Sequence, residues 1–243
     1  MTVELIILFA VSFLAATVSG AAGFGGALVL LPILTNIVGI EAAVPILTIG
    51  QIFGNASRIW FGRHELNWKP IIFFLLTAIP LSVLGSYLFT EIDSNKIKTG
   101  IGVFLILLVI YRRSKIRNTV TIASDRGMLI GGGLTGFLSG LAGSAGPLGA
   151  AFFLGLNLPA TAYIASEAFT ALAMHLTKTV VYSKYALIGK TELYYGLFIG
   201  MAMILGSWTG KKLIEKLERK NFILLVEILL IISGIQLIWT SVE

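Results

Sequence analysis

Ser19-Gly-Ala-Ala-Gly-Phe-Gly-Gly-Ala27 is a dense glycine run inside apolar sequence, and it returns as Ser139-Gly-Leu-Ala-Gly-Ser-Ala-Gly-Pro147. The runs align without a gap at an offset of 120, with identical residues at 19/139, 20/140, 22/142, 23/143 and 26/146. At about 1 kcal/mol per glycine relative to alanine, such a density ends a helix. Pro147 suits the first turn of a new one. Each run therefore reads as a break between two helices. Glycine-interrupted apolar segments at corresponding positions of two halves point to the substrate site of a membrane carrier.

Composition agrees. The 243 residues are 56% hydrophobic and only 12% charged, with a mean hydropathy of +0.92. A soluble domain carries about 25% charge. Apolar runs recur from Val3 to Trp239, so the expected class is an all-α polytopic membrane protein embedded in the lipid bilayer. Val3–Val18 precedes no polar mature domain and reads as part of the fold, not as a signal peptide. Without cysteine, disulfides and thiolate metal sites are excluded. Two histidines and no H-E-x-x-H motif leave no metal-enzyme signature, so neither cofactor nor metal is expected.

The net charge of +6 comes from 18 Lys+Arg against 12 Asp+Glu. These charges lie between apolar runs, which argues against nucleic acid as a partner. Two basic clusters stand out: Arg112, Arg113, Lys115, Arg117 and Arg126, then Lys211, Lys212, Lys216, Arg219 and Lys220. Such clusters mark cytoplasmic loops.

Each half offers five apolar segments, at 3–19, 27–38, 42–61, 70–89 and 99–111, then at 127–141, 147–156, 160–182, 193–209 and 221–240. A span needs about 20 residues. Segments 27–38 and 147–156 fall short, so they are predicted to be arms of glycine-broken helices or re-entrant hairpins, within about 8–10 membrane segments in all. Placing both basic clusters in the cytoplasm puts both termini outside and inverts the halves relative to each other. The predicted organisation is a first repeat at 1–111, a cytoplasmic linker at 112–126 and a second repeat at 127–243. Gly132, Gly136 and Gly140 match Ser12, Ala16 and Gly20, a small-residue stripe that reads as helix packing.

The third segment of each half carries the polar groups. Thr48, Gln51, Asn55 and Arg58 share a helical face, as do Glu167, Ala171, His175 and Lys178. The offset of 120 sets His175 against Asn55 and Lys178 against Arg58. Ionisable groups within spans are costly and are candidates for function. Snorkelling to headgroups is the competing role for both cations. Glu167 and His175 are the candidates for proton coupling, with a neutralising or packing role as the alternative for each. Glu227 reads as one member of a structural pair. Two cations, several hydroxyls and helix N-termini just after the breaks favour an anion, because such termini present unpaired N–H groups and positive dipole ends. The candidate binding residues are Ser19, Gly23, Phe24, Gly25, Gly26, Gln51, Asn55 and Arg58, with Ser139, Gly143, Ser144, Gly146, His175 and Lys178. Position 58 lies about 10 Å past the middle of its segment at 1.5 Å per residue. That sets Arg58 on the cytoplasmic side of the breaks and Lys178 on the outer side.

The run Ser19–Pro32, its echo at Ser139–Leu154 and Asn55-x-x-Arg58 together resemble the sulfite exporter TauE/SafE family, also called the toluene sulfonate uptake permease family. The resemblance spans essentially the whole chain. It implies a bacterial inner-membrane secondary transporter, not an enzyme, for sulfur-containing anions such as sulfite or organosulfonates. The second motif departs from the glycine-rich form at Ser144, Ala145 and Pro147, which leaves the individual anion open. Export is the expected direction, around a midplane site reached by alternating access. The expected partners are the small anion, lipid and protons, with assembly into homo-oligomers left open. Competing readings are an anion channel, a membrane subunit of a larger uptake complex, and an intramembrane serine protease using Ser139 or Ser144 with His175. The last lacks the Gly-x-Ser-Gly pattern, since positions 17 and 137 are Thr and Phe.

Overall fold

A computed structural model describes residues 2–89 and 124–239, with residues 103, 106, 107 and 110 between them. Among the described residues the chain is helical, without strands. The helices are α1 (Thr2–Ala22), α2 (Gly26–Val38), α3 (Ile40–Gly62), α4 (Trp68–Leu88), α5 (Asp125–Ala142), α6 (Gly146–Gly155), α7 (Ala160–Lys184), α8 (Lys190–Ile214) and α9 (Arg219–Trp239). Segment 99–111 lies largely outside the described residues. So does linker 112–126 up to Ser124, with Arg112, Arg113, Lys115 and Arg117.

Both predicted breaks are present at equivalent positions. Gly23 has φ +89° and Gly143 φ +77°, values that cost a residue with a Cβ about 1–2 kcal/mol. Three residues later α2 and α6 begin, at Gly26 and Gly146. Their 13 and 10 residues reach about 20 and 15 Å, well short of a hydrocarbon core of about 30 Å. Each folds back along the helix before it. A Cβ on Gly26 would touch Ser19 Oγ and approach the Ala15 carbonyl oxygen to 3.3 Å, and one on Gly149 would approach Thr135 Cγ2 to 3.2 Å.

Capping lengthens α8 beyond the apolar run at 193–209. The Glu192 carboxylate accepts from the Gly189 N–H at 2.8 Å and starts the helix at Lys190. At the other end Lys211 and Lys212 continue it, their ammonium groups lying 5.5 Å from the Phe61 ring centre and 3.5 Å from that of Trp208. Lysine stems tolerate such a position because the charge reaches away from the helix axis.

Small residues set the helix pairings. A Cβ on Gly140 would lie 2.6 Å from the Ser82 carbonyl oxygen, and one on Gly136 would lie 2.7 Å from Ala78 Cα, so the α5 stripe packs backbone to backbone on α4. On the other side a Cβ on Gly20 would lie 2.7 Å from the Ser207 carbonyl oxygen, joining α1 to α8. Matched contacts along each pair give the directions. α1, α3 and α8 run together: Phe9 stacks on Phe198 near their starts, and Ser207 Oγ donates to the Gly54 carbonyl further along. α4, α5 and α7 also run together, through Thr77 Oγ1 donating to the Leu129 carbonyl at 2.6 Å, the Asn67 N–H donating to Ser166 Oγ at 3.0 Å, and Tyr87 beside Tyr185. α3 and α7 are antiparallel, with Gly62 against Thr161 and Ala165.

Two apolar clusters fill the interior. One surrounds α6 with Phe74, Leu148, Phe153, Tyr163 and Met174; the other joins Leu8, Leu30, Leu34, Ile46, Leu47 and Met203 around α2. Large apolar side chains also cover the outside, among them Ile72, Leu76, Val180 and Met201. An exterior this apolar is that of a membrane protein. Among the described residues, α1, α4 and α8 are long and apolar enough to cross a bilayer by length and composition. Trp60, Trp68, Trp208 and Trp239 are exposed near helix ends, where interfacial aromatics sit.

Candidate functional site

The polar faces of α3 and α7 are both buried. Thr48, Gln51, Asn55 and Arg58 are each at most 6% exposed, and Glu167, His175 and Lys178 at most 7%. Arg58 and Lys178 therefore do not reach for the headgroups; they turn into the bundle.

Arg58 closes the first break. Its Nη1 donates to the carbonyls of Ser19, at 3.1 Å, and Gly23, and its Nη2 donates to Asn55 Oδ1. Asn55 is held in turn by Nδ2 donating to the Gln51 carbonyl at 2.7 Å. Lys178 does the same at the second break. Its Nζ donates to the Gly143 carbonyl at 2.8 Å and to Ser139 Oγ at 3.1 Å. The triplets 58/19/23 and 178/139/143 keep the offset of 120 throughout. The physical need is the same in both places: the carbonyls at the ends of α1 and α5 carry the negative end of the helix dipole, and that of Ser19, which still accepts from the Gly23 N–H at 2.8 Å, takes Arg58 as a second donor. A cation there satisfies the carbonyls and neutralises that end.

The surroundings of the two cations differ. Glu167 Oε2 lies 3.7 Å from Arg58 Nη1, joining α3 of one half to α7 of the other. Among the described residues, neither Glu167 Oε2 nor Arg58 Nε has a hydrogen-bond partner. Arg58 also lines a narrow cleft with Phe61, Gly62, Thr161, Ser207 and Lys211, at the end of the bundle where α3 and α8 finish and α7 begins. Lys178 is fully buried.

The two breaks meet. A Cβ on Gly146 would lie 3.6 Å from Phe24 Cβ, so the buried Phe24 bridges the start of α6 to the first break. Gly23 faces the Tyr163 ring of α7, where a Cβ would come within 2.6 Å of Cε1; Gly143 faces Val44 of α3 at 3.0 Å. Each break is thus covered by the third helix of the other half, the protein cover that broken backbone needs at membrane depth. Ser19 Oγ donates to the Ala15 carbonyl at 3.0 Å, beside Gly26, and a Cβ on Gly26 would lie 3.2 Å from Gln51 Nε2. His175 is buried with Nδ1 unpartnered, and lies within electrostatic reach of Lys178 and Arg58. Gly25 and Ser144 are half-buried at their breaks. Gln51, Ser144 and His175 make no direct hydrogen bond to either cation.

Sequence reasoning missed the cleft. Phe61, Thr161 and Ile164 look like ordinary apolar or interfacial residues, and Lys211 is one of a cluster. One signal was available. Gly206-Ser207 echoes Gly85-Ser86, and Ser207 meets Gly20 as Ser86 meets Gly140. Its offset is 121, one residue out of the register of the breaks.

An apolar-surfaced helical bundle with paired broken helices and a buried cation against each break is a polytopic membrane transport protein. The chain matches the family Sulfite exporter TauE/SafE over residues 8–237 and belongs to it; the family comprises membrane transporters, not enzymes. It is 24% identical to "Probable membrane transporter protein YunE" of Bacillus subtilis (strain 168), over 98% of each chain. No solved structure matches it.

Proposed function

We propose that this transporter exports small sulfur-containing anions, sulfite or organosulfonates, by alternating access around the junction of its two glycine breaks. The observation that carries the reading is a buried guanidinium at a cleft, with Nε unpartnered, and a second buried cation at the equivalent place in the other half. The N-termini of α2 and α6 add amide donors, and Ser19, Gly23, Phe24, Gly25, Gly26, Gln51, Asn55, Ser139, Gly143, Ser144, Gly146 and His175 surround the junction.

The helix directions support an inverted repeat, because α1 opposes α5, α3 opposes α7 and α4 opposes α8. The cleft end carries Arg63, Lys69, Arg126, Lys211, Lys212, Lys216, Arg219 and Lys220, whereas the other end has Lys184 and Lys190 among the described residues. By the positive-inside rule the cleft faces the cytoplasm, with the termini outside and the chain in a bacterial inner membrane. Each net negative charge leaving a cell with a negative interior releases about 2.3 kcal/mol per 100 mV, so export that carries net negative charge runs downhill in the potential.

Flux into proteoliposomes under an imposed potential, with and without a pH gradient, tests the proposal. Sulfite, sulfoacetate, thiosulfate, sulfate and taurine are compared by thermal shift alongside. Stabilisation by the anions and a potential-dependent flux are expected, and counterflow exchange distinguishes a carrier from a channel. Stabilisation by cations or zwitterions alone overturns the anion reading.

A further inference from the structure

We propose that Glu167 is a tethered stand-in for the transported anion, so that an anion takes its place at Arg58 only as Glu167 accepts one proton. The inference rests on the anion reading above and assigns the coupling to one residue.

The geometry carries it. Arg58 is held by three acceptors that belong to its own half, the carbonyls of Ser19 and Gly23 and the Asn55 side chain. Its contact with Glu167 is of another kind: it crosses between halves, spans 3.7 Å and includes no hydrogen bond. Both partners are buried, yet Glu167 Oε2 and Arg58 Nε are each unpartnered. A buried ion pair meant only for stability has its remaining polar atoms satisfied. Here the guanidinium keeps a free donor, and the cleft reaches the same side chain. The carboxylate occupies the neighbourhood an oxyanion would need.

The other half shows what the arrangement lacks when no latch is built. The position equivalent to Glu167 is Leu47, and among the described residues Lys178 faces carbonyls and a hydroxyl without a carboxylate. The repeat therefore explains the carbonyl caps but not Glu167.

Few other groups titrate nearby. Arg58 faces Glu167 from α3. On α7 itself Tyr163 lies one turn away, and His175 and Lys178 two to three turns along. Lys211 of α8 lines the cleft. α9, which reaches Tyr163 through Phe222, carries the buried Glu227. α1, α4, α5 and α6 bring no buried acidic or basic side chain among the described residues.

With an anion and Glu167⁻ together, two negative charges would compete for one guanidinium in a site of low dielectric. Binding one proton from solution neutralises the carboxyl and leaves the guanidinium to the anion. A monovalent sulfonate then crosses electroneutrally with its proton. A divalent oxyanion leaves with one net negative charge, still driven outward by the potential.

The full-length protein in detergent tests this, with methanesulfonate and sulfate as probes because their charge is constant over the working pH range. From about pH 8 downward, affinity is expected to rise by up to tenfold per unit for as long as Glu167 is ionised in the free protein, with up to one proton taken up per anion bound. In Glu167→Gln that slope falls to less than about twofold, with tight binding throughout, and the proton uptake disappears. Affinity independent of pH in the wild type, or binding without proton uptake, overturns the latch while leaving the anion reading standing. A slope that persists in Glu167→Gln overturns it too. The wild-type proton count needs no variant to fold. Absence of binding by either probe at every pH overturns the anion reading and the latch with it.

Discussion

Arg58 and Lys178 stand at equivalent positions and cap equivalent carbonyls, but among the described residues Arg58 has a carboxylate beside it and lines a cleft, whereas Lys178 has no carboxylate partner. Lys178 sits in a closed environment, fully buried against the end of α5. The shared part is structural, since a broken helix inside a membrane leaves carbonyls that must be satisfied. The unshared part is a candidate for function, since nothing in the repeat demands it. Removing what the two sites share should cost stability in both. Removing what they do not share should affect transport in one.

The largest effect is expected for Arg58→Met. It uncovers the Gly23 carbonyl, takes the second donor from that of Ser19 and leaves Glu167 buried without its cation, a loss of about 3–5 kcal/mol for the broken pair. Lys178→Met removes the donor to the Gly143 carbonyl and the Ser139 hydroxyl, without stranding a charge, and should cost about 1–3 kcal/mol. Thermal unfolding in one detergent checks the order. Adding Glu167→Gln to Arg58→Met should recover part of the larger loss, and equal losses in the two single variants would show that Glu167 does not distinguish the sites.

Next come the glycines beneath the cations. Gly23→Ala and Gly143→Ala both place a Cβ at positive φ, at about 1–2 kcal/mol each. Gly23→Ala should be the worse, because its Cβ would come within 2.6 Å of the Tyr163 ring, against 3.0 Å from Val44 for Gly143. Expression and melting temperature report the difference. Arg58→Lys ranks lower again. It keeps the charge but gives up the planar fork, so flux should fall more than stability.

Lys211→Ala is the mildest. Its ammonium lies 3.4 Å from Glu215 one turn on, at the cleft rim, a partly exposed pair worth about 0–1 kcal/mol. Melting should barely move, while anion flux at low ionic strength should drop towards its high-salt value. A flux with unchanged salt dependence would remove Lys211 from the anion's path.

Much of the fold is legible from short-range signals. The glycine runs locate both breaks, apolar length identifies α2 and α6 as too short to span, and the offset of 120 matches their starts at Gly26 and Gly146. The placement of Arg58 was less legible. Its distance from the segment centre suggests a headgroup contact as readily as a buried one, and only the carbonyls of Ser19 and Gly23 decide between them. The cleft escaped notice because its walls come from the ends of separate helices, at positions that look ordinary one by one.

The sequence by itself determined where the chain must break, since positive φ and glycine density act within a few residues. It also determined that a cation recurs at one position per half. The tertiary structure alone decided what each cation touches. Arg58 and Glu167 lie 109 positions apart, and they meet because α3 and α7 cross antiparallel. Side-chain contacts of that range depend on helix direction and packing depth, and no local pattern encodes either.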